Sequence, residues 1–94
     1  MTKYEMLCLL NNDLTDEAKL AKIEKLDNIV KSMGGAVVSC DKWGTKKLAY
    51  PIQYKHEAYY VLTVFEAEGN VVSELNRVAG IDSDVLRLMI TKLA

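Results

Sequence analysis

The spacing of apolar residues predicts a strand and then a helix in the first third of the chain. From Tyr4 to Leu10 the chain is almost continuously apolar, which is typical of a central strand covered on at least one face. Apolar residues then recur at spacings of three and four, which predicts a helix with Thr15 as its N-cap and Gly34 at its end. The predicted apolar stripe of this helix consists of Leu20, Ile23, Leu26, Val30 and Met33.

The remaining apolar runs predict three more strands and a second helix. The second strand begins at Ala36 and continues through residues 43–52, a connection covers 53–57, and the third strand covers 58–65. Gly44 indicates a bulge in the second strand, and Pro51, which has no amide hydrogen to donate, indicates a sheet edge. A short helix ending at Gly80 precedes a last strand over 85–93. The side chains of that strand expected to face the helices are Leu86, Leu88 and Ile90.

This β-α-β-β-α-β order predicts a ferredoxin-like α+β fold over residues 1–94 as a single domain. The four-stranded antiparallel sheet is expected to have the order 4-1-3-2, with both helices on one face. The opposite face would then be free to bind another molecule. An intervening strand would separate Cys8 from Cys40, so we expect no disulfide between them.

Composition excludes several classes of function. Half of the 94 residues are apolar, which is enough for one core, and the net charge is −1. A protein that binds nucleic acid mainly through its own charge is usually basic, so only a local basic patch remains open. With a single histidine, no C-x-x-C pair and no apolar run of 18 residues, we expect no metal, no other cofactor and no membrane segment. Free thiols and a cytosolic location are the default.

Three alternative functions receive little support from the residues. An enzyme would need a nucleophile with a nearby base, a phosphate loop or paired carboxylates, and none of these is evident. A small-molecule regulatory domain of this topology is supported by no particular residue. An RNA-recognition motif has the right topology, but the third strand lacks the glycine and the leading basic residue of its consensus. Tyr59 or Tyr60 could still stack on a base, depending on which one faces outward.

The basic pair Lys46 and Lys47 is the strongest candidate for chemistry. The same predicted hairpin also carries Lys42, Trp43, Tyr50, Lys55 and His56. Two interpretations stay open at this point. In the first, the lysines contact phosphate while the aromatic rings stack. In the second, the lysines protect an edge strand against aggregation.

The run from Gly44 to Ile52 resembles the Gly-x-basic-basic-Leu-Ala-Tyr-Pro-Ile signature of bacterial small-subunit ribosomal protein six. The start, with Tyr4-Glu5 and Leu10-Asn11, is similar to that family as well, as is the closing run from Val85 to Met89. The resemblance extends over essentially the whole chain.

The resemblance implies a structural constituent of the 30S subunit that has no catalytic role and no small-molecule substrate. It implies binding to the central domain of small-subunit ribosomal RNA as a heterodimer with ribosomal protein eighteen, after ribosomal protein fifteen has organised the RNA junction. A partner that supplies much of the positive charge would reconcile RNA binding with the charge of this chain. The residues expected at or near RNA or the partner are Lys46, Lys47, Tyr50, Lys55, His56, Lys3, Arg87 and Lys92.

Two departures from the family pattern change these expectations. Lys46 and Lys47 stand where many relatives have arginines. Because lysine cannot form the planar two-pronged contact of arginine, we expect a less geometrically specific hold on phosphate. Many relatives also continue into a polar, often acidic tail past the position of Ala94, so the functions of such a tail are not expected from these 94 residues.

Overall fold

A computed structural model describes residues 1–52 and 55–93 of the chain. Its elements are β1 (Thr2–Asn11), α1 (Asp16–Ser32), β2 (Ala36–Ile52), β3 (Lys55–Ala67), α2 (Gly69–Ile81) and β4 (Val85–Lys92). The described strands pair antiparallel in the order β2-β3-β1-β4, which is the predicted 4-1-3-2 order read from the other edge. The ferredoxin-like prediction is therefore confirmed, with β1 in the interior and Pro51 on the edge strand β2. Residues 53 and 54 of the predicted connection lie outside the described part of the chain.

Helix α1 begins as its sequence predicts, because the Thr15 side chain accepts a hydrogen bond of 3.1 Å from the Ala18 amide. Its buried residues are Ile23, Leu26 and Val30. The two ends of the predicted stripe are not buried, since Leu20 is 40% exposed and Met33 is 36% exposed. Leu20 lies in a shallow groove beside β2, and Met33 is already the C-cap residue. The apolar stripe is therefore shorter than predicted.

The main core lies between the helices and one face of the sheet. On β1 that face carries the even-numbered side chains Met6, Cys8 and Leu10, all of which are buried. They meet the three buried residues of α1, Phe65 of β3, and Leu75 of α2. The periodicity of two in the strand and of about 3.6 in the helix thus places both apolar sets in one layer.

Strand β4 departs from the predicted alternation. Leu88 and Ile90 pack against the main core as predicted, but the pairing of β4 with β1 shifts between Leu9 and Leu10. Leu86 packs with Leu9 on the opposite face of the sheet instead. The prediction for Leu86 is therefore wrong, because an irregularity that adds one residue to a strand reverses the face of the side chains beyond it.

The sheet face opposite the helices, which we call the open face, is not entirely free. A second cluster of buried residues on it consists of Leu9, Ala58 and Leu86. Leu48 and Ile52, near the end of β2, pack onto this cluster together with Tyr60. The hairpin formed by residues 43–52 and 55–60, hereafter the basic hairpin, therefore folds back over one end of the open face. The expectation of a fully free face is corrected, because those side chains of the hairpin are apolar and bury themselves against the sheet.

Both cysteines are free, as predicted. Cys8 on β1 is buried, and burial, with a further contribution from Asp82, raises its pKa to about 12. Cys40 lies on β2, on the far side of β3, and accepts a hydrogen bond of 3.6 Å from the Thr63 hydroxyl. The thiol of Cys8 is therefore protonated at neutral pH and unreactive while the protein is folded.

Candidate nucleic-acid interface

A bulge in β2 creates an aromatic pair with a lysine above it. The pairing of β2 with β3 shifts between Lys42 and Gly44, and Gly44 has a φ of 83°. Glycine adopts this left-handed conformation without a steric cost, and the extra residue at a bulge re-aims its side chain. Trp43 is that residue, and it stacks on Tyr60 with ring centroids 6.4 Å apart and an interplanar angle of 14°.

Lys46 lies above this pair. Its Nζ atom is 5.5 Å from the centroid of the Trp43 ring, which is within the range of a cation–π contact. Lys46 pairs with Ala58, so its side chain shares the open face with Tyr60 two residues further along β3. Trp43 itself is 46% exposed. The structure thus presents a positive charge beside an accessible indole ring.

Tyr50 and Arg87 form a second contact on the same face. The Tyr50 hydroxyl accepts a hydrogen bond from Nη1 of Arg87, and the guanidinium carbon is 5.9 Å from the centroid of the Tyr50 ring. Arg87 pairs with Leu9, and Leu9 pairs with Tyr60, so the two contacts are neighbours across the sheet. Between the hairpin and the sheet lies a cavity of about 150 Å³, bounded mainly by Leu7, Leu48, Ile52, Tyr60 and Met89.

The structure decides which of two adjacent tyrosines faces the open side. Tyr59 lies on the helix side, where the Lys19 ammonium is 4.8 Å from the centroid of its ring. Tyr60 belongs to the open face, but one side of its ring is occupied by Trp43. The exposed stacking surface is therefore offered by Trp43 and only in part by Tyr60.

Lys55 is engaged in an ion pair. Its Nζ atom lies 2.6 Å from Oδ2 of Asp13, in the loop between β1 and α1. The hydrogen bond from Lys55, reinforced by the charge of Lys55, lowers the pKa of the exposed Asp13 carboxyl. Thr45 also donates a hydrogen bond to Asn12 of the same loop. These links connect the basic hairpin to that loop, and Lys55 would have to leave Asp13 in order to bind a phosphate.

The other predicted site residues are more dispersed. Lys47 and His56 are exposed on the basic hairpin, with Lys47 opposite Glu57. Lys3 lies in the row of the open face that contains Glu66, far along β1 from the hairpin. Lys92 is paired with Tyr4, whose ring stacks on Phe65 in the main core, so Lys92 lies on the helix side of the sheet. The structure therefore brings Lys46, Tyr50 and Arg87 together and leaves Lys3 and Lys92 apart from them.

The pairing of Trp43 with Tyr60 was not predicted from the sequence, where Trp43 was considered only as a possible stacking group. Gly44 was the sequence indication of this pairing. It predicts a bulge in the second strand, and the extra residue at a bulge moves the preceding side chain to the other face of the sheet. The contact between Tyr50 and Arg87 had no such signal, since 37 residues separate the two.

Comparison with known proteins decides the family. The sequence model described as Ribosomal protein S6 matches residues 3–92. This chain belongs to the ribosomal protein S6 family. Small ribosomal subunit protein bS6 of Caldanaerobacter subterraneus subsp. tengcongensis is 42% identical over 92 residues, which cover 98% of this chain and 97% of that protein. The bS6 protein of Clostridium novyi is 43% identical over 90 residues, covering 96% and 95% of the two chains.

A solved structure supports the fold independently. The crystal structure of 30S ribosomal protein S6 from Thermotoga maritima matches with a TM-score of 0.92, covering 98% of this chain and 87% of that chain. Its sequence identity is only 19%, so this likeness bears on the ferredoxin-like fold alone. Family membership makes the chain a structural constituent of the small ribosomal subunit, in a family that is not one of enzymes. No described helix is long and apolar enough to cross a membrane.

Proposed function

We propose that this chain binds the central domain of small-subunit ribosomal RNA together with ribosomal protein eighteen during assembly of the 30S subunit in the cytoplasm. The observation that carries the proposal is the grouping of Lys46, Trp43 and Tyr60 with Arg87 and Tyr50 on one sheet face. Side chains that pair positive charge with an exposed aromatic ring are suited to phosphate and to unpaired bases.

In the proposed mechanism, the protein holds RNA in position and catalyses no reaction. Lys46 supplies a point positive charge and Arg87 a planar one for backbone phosphates. The half-exposed Trp43 ring stacks on a base when the Lys46 ammonium moves from the ring to a phosphate. The bulge and the contact with Arg87 hold these groups before RNA arrives, so little side-chain entropy is lost on binding. A hairpin held in this way stabilises one arrangement of an RNA junction.

The net charge of −1 argues that the protein acts with a partner. Each phosphate neutralised by lysine or arginine releases counterions, and the affinity depends on how many such contacts are made. The open face of this chain has few lysine or arginine side chains that could make such contacts. We therefore expect weak binding of RNA by the isolated protein and a marked gain when ribosomal protein eighteen is added, with most of the salt dependence contributed by the pair.

The test compares two lysine pairs that carry equal charge. Lys46→Ala with Lys47→Ala and the control Lys25→Ala with Lys31→Ala both change the net charge from −1 to −3, and all four lysines are exposed. The hairpin variant should join the complex of central-domain RNA and ribosomal protein eighteen on the order of tenfold more weakly. The slope of log affinity against log salt should fall by about 2 if both lysines contact phosphate. The control variant should match the wild type.

The contrary outcome is equally specific. If the hairpin variant binds like the wild type but aggregates or loses substantial stability, the two lysines serve to protect the β2 edge. The exposed Trp43 ring also favours a second candidate, a single-stranded RNA-binding module. Tight, base-selective binding of short RNA by the isolated protein would support that module instead.

A further inference from the structure

Strand β4 forms the edge of the sheet opposite β2, and no described strand pairs with its outer side. The Leu93 amide donates a hydrogen bond of 2.9 Å to the Lys3 carbonyl of β1, which marks these two residues as a hydrogen-bonded pair. Such pairs alternate along an antiparallel ladder, so beyond the irregular start of β4 every odd-numbered residue directs its backbone groups at β1. The amides and carbonyls of Leu88, Ile90 and Lys92 therefore point outward from the sheet.

The two edges of the sheet differ in how they are protected against pairing with other strands. β2 carries Pro51 and the lysines of the basic hairpin, and its register with β3 shifts at three places. Prolines, lysines and bulges are common means by which an edge avoids further pairing. β4 keeps a regular register from Arg87 to Lys92, with an apolar run over residues 88–90. An edge that is regular and apolar in its middle is suited to accept another strand.

A groove of about 300 Å³ lies beside this edge, between β4 and the C-terminal half of α2. On the α2 side it is bordered by Asn76, Ala79 and Gly80, and on the β4 side by residues 85–88. A Cβ added at Gly80 would meet nothing within 4 Å, so the wall of the groove is open there. The volume is at the lower end of the range for ligand-binding cavities. A strand added beside β4 would direct every second side chain towards this groove, since alternate residues of a strand share one face.

The charged groups around this edge are positive on balance. Arg87 and Lys92, near its two ends, are exposed, and in the described part of the chain neither has a carboxylate within 4.0 Å. Asp82 also borders the groove, but the Lys22 ammonium lies 2.7 Å from its carboxylate. Glu5 lies one strand further into the sheet, on β1. Charge complementarity therefore favours an acidic strand beside β4.

We propose that the β4 edge binds an extended acidic segment of another protein, which adds to the sheet as an antiparallel strand. Its backbone would pair with Leu88, Ile90 and Lys92, and its apolar side chains at alternate positions would enter the groove beside α2. Its carboxylates would approach Arg87 and, at the far end, Lys92. The inference goes beyond the proposed function, because the surface is a sheet edge and its partner is not RNA. Arg87 alone is shared with the group of residues proposed to bind RNA.

The backbone ladder and the groove together select this occupant. A second copy of this chain could pair its own β4 with this one, but its Leu88 and Ile90 pack against its own main core and could not enter the groove. RNA has no alternating amides and carbonyls to match the ladder. An extended segment has free side chains on both faces. Strand addition uses main-chain hydrogen bonds for affinity and pockets for alternate side chains for specificity, and this edge has both.

The probe is a seven-residue peptide with blocked ends in which glutamate and valine alternate. Amide hydrogen exchange of the protein, followed by NMR, reports where it binds. With the peptide bound, the outward amides of Leu88, Ile90 and Lys92 should exchange about tenfold more slowly. The amides of Met89 and Thr91, which are already bonded to β1, should change little. Slower exchange in the helices or in β2 without a change in β4 would overturn the proposal.

Modified peptides test the hydrogen bonds and the charge separately. Residues that exchange hydrogen bonds across an antiparallel ladder lie directly opposite each other and share a face. Leu88 and Ile90 face the helix side, so the valines that enter the groove are also the residues whose amides face β4. N-methylation of the valines should abolish binding, and N-methylation of the glutamates should not. A peptide with lysine in place of glutamate should bind about fivefold more weakly. Binding that survives methylation of the valines would refute strand addition.

Two pairs of variants locate the site on the protein. Gly80→Leu puts a side chain on the wall of the groove and should weaken the glutamate–valine peptide about tenfold. Gly69→Leu, at the start of the same helix, should leave the affinity unchanged. An added Cβ meets nothing within 4 Å at either glycine, so both variants should fold, which circular dichroism checks. Lys92→Glu should weaken the peptide about fivefold, whereas Lys31→Glu, the same change at an exposed position of α1, should have no effect. Equal losses within either pair would contradict a site at this edge.

Sedimentation of the protein without peptide separates the possible occupants. A monomer whose Leu88 and Ile90 amides exchange rapidly until the peptide is added supports the proposal. A dimer in which these amides are already protected would show that a second copy occupies the edge, and protection by central-domain RNA alone would show that RNA does. Either result overturns the proposal. Lys46→Ala with Lys47→Ala should leave the peptide affinity unchanged, so this test does not depend on the outcome for RNA.

Discussion

Gly44 is the residue on which the geometry of the basic hairpin depends most directly. A methyl group added there meets nothing within 4 Å, so Gly44→Ala introduces no steric overlap with neighbouring residues. Its φ of 83° nevertheless lies in the left-handed region, which L-residues adopt at a cost. Gly80, near the end of α2, has equally open surroundings but no positive φ, so it provides a matched control.

The expected effects of these two substitutions have opposite signs. The left-handed conformation costs alanine about 1–2 kcal/mol. Alanine also lowers the conformational entropy of the unfolded chain, which stabilises the folded protein by about 0.4–1 kcal/mol. Gly44→Ala should therefore destabilise the protein by about 1 kcal/mol. Gly80→Ala should stabilise it by about 0.5 kcal/mol, because alanine is the better helix former and the position is close to the helix end. Gly44→Asn should cost less than Gly44→Ala, since asparagine tolerates the left-handed region.

Urea unfolding followed by circular dichroism measures these differences. With a slope of about 1 kcal/mol per molar urea for a protein of this size, Gly44→Ala should lower the midpoint by about 1 M. Trp43 is the only tryptophan, so its fluorescence reports separately whether the stacking on Tyr60 survives. If Gly44→Ala and Gly80→Ala shift the midpoint in the same direction and the fluorescence of Trp43 is unchanged, the left-handed bulge does not position the site.

Two further predictions concern the hairpin contact and the pH dependence of stability. Tyr50→Phe removes the acceptor of the Arg87 hydrogen bond at a solvent-exposed site, so the free energy of unfolding should fall by only about 0.5 kcal/mol. Amide hydrogen exchange of Leu48 and Ile52 should accelerate, because the hairpin opens locally more often. Unchanged exchange would mean that apolar packing alone holds the hairpin. Burial raises the pKa of Asp27, whose Oδ1 is buried with no hydrogen-bond partner among the described residues. Because the folded pKa exceeds the unfolded one, the protonated carboxyl is favoured by folding, and this contribution is lost as pH rises through the folded pKa. Asp27→Asn should therefore raise stability relative to the wild type more at pH 7 than at pH 3 in urea unfolding, and a wild type more stable than the variant at pH 7 would contradict this reasoning.

The features predicted correctly depend on interactions within a few residues. The cap at Thr15 is a bond to an amide three residues away, and the edge position of β2 follows from the missing amide hydrogen of Pro51. The element order then restricts the topology, because split βαβ units of one hand leave few ways to arrange four strands. The short-range pattern was therefore enough to predict the sheet order and the layer that holds the main core.

The candidate site was predicted in part. Lys46, Tyr50 and Arg87 were expected to contribute, and the structure brings them onto one face. Alternation along a strand assigns a face only while the pairing register is regular, and the shift next to Leu9 moved Leu86 to the other side. For the same reason the pairing of Trp43 with Tyr60 requires the bulge to be located first.

The sequence by itself determined the family, the order and type of the elements, and the candidate residues of the basic hairpin, because motif, periodicity and turn chemistry are local properties. Only the tertiary structure decided which of these residues meet. The basic hairpin folds over the open face, Lys55 pairs with Asp13, and Lys92 falls on the helix side. These outcomes depend on the burial of Leu48 and Ile52 against distant strands and on the pairing registers, and both arise from contacts between residues far apart in the chain.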